Sequence, residues 1–174
     1  MESLIKTLLN SDNYQASIKT ILEKCAHKTK VRFALHCATD LEKYYDTEKY
    51  PEVKKTRAKC LELVVNWLLD SSSVTKKELD AAANAAYAVV YAAYAVVYAA
   101  HAAHAVVYAA HAAHAVAYAA HAAAYAANAA GSYDESIKQA HLKGLFYYLV
   151  KLYLTETDKN FKEETFNLLY LNKG

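Results

Sequence analysis

Three observations predict an all-α protein. The 174-residue chain holds one Pro and three Gly, so few positions loosen or break a helix. Its apolar residues recur at three- and four-residue steps, and no run alternates polar and apolar between turns as a half-buried strand does. Residues 81–130 comprise 29 Ala, 7 Val, 7 Tyr, 5 His and 2 Asn, a composition led by the strongest helix former. The predicted architecture is a compact helical bundle in one domain, 1–174. Amphipathic helices fill 1–75, an Ala-rich central helix or helical hairpin fills 76–130, and helices from 131–174 complete the packing.

The first predicted helix runs from Ser3 to Leu9. Asn10, Ser11 and Asp12 then offer a cap for a second, whose Tyr14, Ile18, Ile21, Leu22 and Cys25 mark one buried face. A third is expected from Lys30 to about Tyr45, with Phe33, Leu35, Cys37, Leu41 and Tyr44 on its apolar side. Asp46 and Thr47 begin a turn, and Pro51 suits the first turn of a fourth helix, where its missing N–H is harmless. That helix carries Val53, Cys60, Leu61, Val64 and Leu68, with Trp67 as its largest side chain, and the run Asp70 to Thr75 stops it. Thr75 and Glu78 have capping-box spacing at the next start. Gly131 and Ser132 close the Ala-rich window. Asp134 is placed to cap a helix from Glu135 to about Thr155, with Ile137, Leu142, Leu145, Phe146, Leu149 and Leu152 inward. Asp158 is placed to cap a last one that carries Phe161, Phe166, Leu169 and Tyr170.

The Ala-rich window raises an architectural question. None of the 20 basic and 18 acidic residues falls inside it, and a helix without a polar face is normally buried. Its Tyr, His and Asn step by three and four as in a heptad, except around 101–114, where extra three-residue steps act as stammers. At about 100° per residue, His101 and His121 stand roughly 160° apart, so the stripe winds around the helix. One unbroken helix over 76–130 would be about 80 Å long, too long for a domain of this size to bury. Three solutions follow: a break near residues 102–113 that folds the segment into a hairpin, a long helix buried in a homo-oligomer, or insertion into a membrane. The hairpin is favoured. The membrane is disfavoured because polar ring tips circle the helix and Ala contributes little transfer energy.

The histidine pairs His101/His104 and His111/His114 each place two imidazoles on one helical face. That spacing can ligate Zn²⁺ or Ni²⁺ when further ligands converge, yet no Cys, Asp or Glu lies in the window. Tyr occupies equivalent places, which favours rings that pack between Ala grooves over a metal site. Imidazoles in an apolar setting resist protonation, so acid should loosen such packing. A flat ice-binding face is disfavoured because regularly spaced Thr is missing.

Composition narrows the function classes. A net charge of +2 does not suggest nucleic-acid binding through counterion release. The chain has no Gly-rich phosphate loop, nucleophile elbow or zinc-protease helix, so no catalytic residue and no cofactor are expected. Cys25, Cys37 and Cys60 lack metal-ligand spacing and suit reduced thiols of a cytoplasmic protein. No signal-peptide pattern stands at the N-terminus. The remaining candidates are partner contacts: an acidic group, Asp40, Glu42, Asp46 and Glu48, and a basic one, Lys54, Lys55, Arg57 and Lys59.

From Phe33 to Ala88, about a third of the chain, the sequence resembles a family of small bacterial helical proteins described as immunity proteins of polymorphic-toxin systems. The resemblance rests on Ala34-Leu35 and Cys37-Ala38, on Tyr50-Pro51, on the basic helix with Lys55 and Arg57, on Trp67-Leu68, and on Ala85-Ala86-Tyr87-Ala88. Family members carry scattered charges and a Gly within their Ala-rich part, and this window has neither. The resemblance implies a non-enzymatic protein that binds and neutralises a partner toxin inside the producing cell. Alternatives are a self-assembling helical protein and a His-based metal or small-ligand binder.

Overall fold

In a computed structural model of the protein, the structure describes residues 2–40, 51–88, 115–130, 134–158 and 161. The described residues form helices and their connections, with no strand among them. Seven helices are defined among the described residues: α1 (Glu2–Leu9), α2 (Tyr14–Lys24), α3 (His27–Asp40), α4 (Pro51–Leu69), α5 (Lys76–Ala88), α6 (Ala115–Ala130) and α7 (Glu135–Thr157).

Local chemistry explains most boundaries. Asn13, and not the expected Asn10, Ser11 or Asp12, caps α2: its side chain accepts from the Ala16 N–H, satisfying a donor that a helix start leaves without an intrahelical partner, while the Ser11 hydroxyl accepts from the Asn13 N–H. Extended backbone at Cys25 ends α2, with its N–H bonded to the Leu22 carbonyl. Because that stop is so tight, α3 begins at His27, three residues ahead of the expected Lys30. Pro51 opens α4 as predicted. At the far end of α4, Asp70 accepts from both the N–H and the hydroxyl of Ser72. The capping box forms at α5: the Thr75 N–H donates to Glu78 at 2.8 Å, and the Glu78 N–H donates to the Thr75 hydroxyl at 3.3 Å. Asp134 accepts from the Ser136 N–H at 2.8 Å and starts α7, which ends near its predicted stop.

Packing places α6 at the centre. It touches α2, α3 and α7, while α2 and α3 also lie against α7. Ala122, Ala123, Ala126 and Ala127 are buried on its inner face. Ile18 and Leu22 from α2, Val31 and Phe33 from α3, and Phe146, Leu149 and Val150 from α7 fill the same core. The α4–α5 pair forms an outer layer: α4 lies against α3, and α5 lies against α4. Val64, Leu79, Ala82 and Ala83 link this layer to the core.

The expectation of an Ala-rich central helix therefore holds for α6. Its packing sense differs from the predicted one, since the Ala residues face inward while Tyr125 is half-buried and His121 is exposed. Ala lets helix axes approach closely, and a ring at those positions would force the helices apart. The proposed break at 102–113, and with it the choice between hairpin and long helix, lies outside the described residues. So do the predicted helix beyond Phe161 and the end of the third predicted helix beyond Asp40. Among the described residues, no helix is long and apolar enough to cross a membrane.

Polar ties fasten α3 to α7. The buried Thr29 hydroxyl donates to the Glu156 carboxylate, and Arg32 pairs with the same carboxylate at 3.1 Å. Further along, the rings of His36 and Tyr148 stack with centroids 3.7 Å apart.

Candidate functional site

The basic candidates all lie on α4, and the fold sorts them by helical angle. Lys54, Lys55 and Lys59 are exposed. Arg57 is buried, at 4 % exposure, and its Nη2 donates to the Ala38 carbonyl at 2.7 Å and the Thr39 carbonyl at 3.4 Å. A hydrogen bond from a charged guanidinium to a carbonyl is stronger than one from a neutral donor. Arg57 thus joins α4 to the end of α3 and does not belong to the exposed basic face. The sequence carried a signal for this. Arg57 sits in the apolar row formed by Val53, Cys60, Leu61 and Val64, at the same three- and four-residue spacing.

The acidic candidates separate in a similar way. Asp40 is half-buried, with Oδ2 3.4 Å from Nε2 of His141 on α7. It lies in the seam between α3 and α7. Glu42, Asp46 and Glu48 lie outside the described residues, as do His101, His104, His111 and His114. Among the described residues, no group of three His, Cys, Asp or Glu side chains could hold a metal ion.

Lys55 and Lys59 border a groove of about 460 Å³ between α4 and α5. One wall is the i, i+4, i+8 row Lys55, Lys59 and Leu63, with Thr56 and Cys60 beside it; the other is Glu78, Ala81, Ala82 and Ala85. The short Ala side chains leave this wall low. Cys60 lies at the floor, where its thiol is 3.3 Å from the Ala82 carbonyl. That contact, with a connection of only residues 70–75, makes the two helices antiparallel neighbours. The lysines therefore stand toward the end of the groove where α4 begins, and Glu78 stands at the other end beside Leu63. Glu78 is held below the usual carboxylate range by the Thr75 N–H and hydroxyl, so its end of the groove is anionic at neutral pH.

The thiols offer no nucleophile. Burial pushes Cys60 up to about 11, against a small downward pull from Lys59. Burial and then the Glu156 charge push Cys25 up to about 12. Cys37, fully enclosed and close to Asp40, is raised well above its ordinary value. Each stays protonated at neutral pH, and the thiolate is the reactive form. Farther along α4, Val65 and Leu69 add exposed apolar surface at 41 % and 79 % exposure. The outer layer thus combines a basic row, a low-walled groove and exposed aliphatic side chains, features that can hold another macromolecule.

No family model, no curated protein and no solved structure matches the chain.

Proposed function

We propose that the chain is a non-enzymatic protein-binding module whose α4–α5 layer engages a partner protein through an acidic surface of that partner. On this reading, and in keeping with the resemblance over Phe33–Ala88, the partner is a toxin that the chain neutralises in the cytoplasm. One observation carries the proposal: Lys55 and Lys59 are exposed along the rim of the α4–α5 groove, while Arg57 on the same helix serves the interior. Lys55 and Lys59 are exposed and stand outside the shared core, so contacts through them leave it intact. Opposite charge across an interface mainly speeds encounter and selects the partner.

The test is co-expression with the toxin domain encoded beside the gene, together with calorimetry on the purified pair. Growth rescue and a complex that weakens with added salt are expected, and the double variant Lys55→Glu, Lys59→Glu should lose both. Absence of a complex between the wild-type chain and that toxin would overturn the proposal.

A further inference from the structure

The groove has a direction that specifies what it can accept. Lys55 and Lys59 lie one turn apart on one side of α4, so their ammonium groups repeat at about 6 Å along the axis. From Lys55 to Leu63 the wall runs about 12 Å, close to two helical turns. Opposite it, Ala81 and Ala85 are exposed and present only methyl groups, which allows the backbone of another helix to approach closely. The charge changes sign along the groove, with ammonium groups at one end and the Glu78 carboxylate at the other.

We infer that the α4–α5 groove receives an amphipathic helix of the partner protein, with two carboxylates one turn apart on Lys55 and Lys59 and a small apolar face against Ala81 and Ala85. The inference rests on the protein-binding reading and narrows it to a helix-in-groove contact. Charge complementarity selects the occupant. Two ammonium groups in a row match paired carboxylates through charge-assisted hydrogen bonds, whereas the low methyl wall gives an extended acidic chain no donor or acceptor to bind. The anionic end beside Leu63 disfavours a third carboxylate and orients the helix, so its acidic turn lies over the lysines.

The probe is a short stapled helical peptide with two Glu at i and i+4 beside an Ala/Leu face. Its control has the same composition, with the two Glu on opposite faces. Fluorescence anisotropy against the full chain should show the control binding at least about tenfold more weakly, with the difference shrinking at high salt. Lys55→Glu with Lys59→Glu should abolish binding. So should Ala85→Trp or Ala81→Trp, which fill the groove from exposed positions; circular dichroism confirms that the variants fold. Equal binding of the two peptides, binding of neither, or full binding by both Trp variants would overturn the inference. The toxin assay separates it from the broader reading. If the toxin still binds both Trp variants, a partner exists but uses another contact; if it never binds the wild-type chain, the partner reading itself fails.

Discussion

Arg57 and Lys54 lie three residues apart on one helix and do opposite work. Arg57 binds two carbonyls at the end of α3 from a buried position, whereas Lys54 is exposed. Arg57→Met should lower unfolding stability in urea by about 1.5–3 kcal/mol, the range for hydrogen bonds to a charged group. Lys54→Met should change it by less than about 1 kcal/mol, the range for contacts of an exposed charge. A similar contrast governs Cys60. Its pKa rises from an ordinary 9.0 to about 11 on folding, so the folded state keeps a proton that the unfolded state loses between those values. The stability linked to that proton is complete below pH 9 and disappears as pH rises through 11. Cys60→Ser keeps a donor for the Ala82 carbonyl but does not titrate. Urea melts from pH 8 to 11 should therefore show a shallower decline for the variant than for the wild type. Charge type alone grouped Arg57 with the lysines, and only its place in the apolar row distinguished it.

Helix ends were readable because caps are local. Pro51, Thr75 with Glu78, and Asp134 each act within a few residues of their own position, so their geometry follows from spacing; at α2 the polar run Asn10 to Asp12 marked the start, but Asn13 just beyond it makes the cap. Helix faces were harder to read. Both α5 and α6 are Ala-rich, yet α6 lies among α2, α3 and α7 while α5 rests on α4. The Tyr/His stripe suggested rings in the core, but Ala122, Ala123, Ala126 and Ala127 occupy it. Periodicity identifies a face without saying which side of an uncharged helix turns inward, because Ala suits either environment. Differential overpacking tests this arrangement. Ala126→Leu should destabilise by about 1–3 kcal/mol, and Ala81→Leu, at an exposed position, by less than about 0.5 kcal/mol. Equal effects would mean that α6 is not the central helix.

Taken together, the helices share one contiguous core that runs from Ile5 through Phe33 and Val64 to Tyr153. A single core implies cooperative loss of structure. Trp67, the one tryptophan, lies on α4 with its ring edge-on to His27 at the start of α3, the centroids 5.3 Å apart. It therefore reports on the junction between the outer layer and the bundle. Its fluorescence and the far-UV circular dichroism signal should pass through coincident urea transitions. Phe146→Ala should shift both together, at a cost of about 3–5 kcal/mol. Separate midpoints would show that α4 and α5 unfold independently of the core.

Helical class, the Pro51 start of α4, the caps of α5 and α7, and the basic character of α4 follow from residue type and spacing, since each depends on interactions within a few turns. Those rules left open which Ala-rich helix occupies the centre, which carbonyls Arg57 meets, and that Lys55 and Lys59 border a groove. Each of these depends on a neighbour distant along the chain: α3 and α7 for α6, the Ala38 and Thr39 carbonyls for Arg57, and the low Ala wall of α5 for the lysines. Long-range packing selects among faces that local chemistry leaves nearly equivalent, and for this chain that selection also defines the surface offered to a partner.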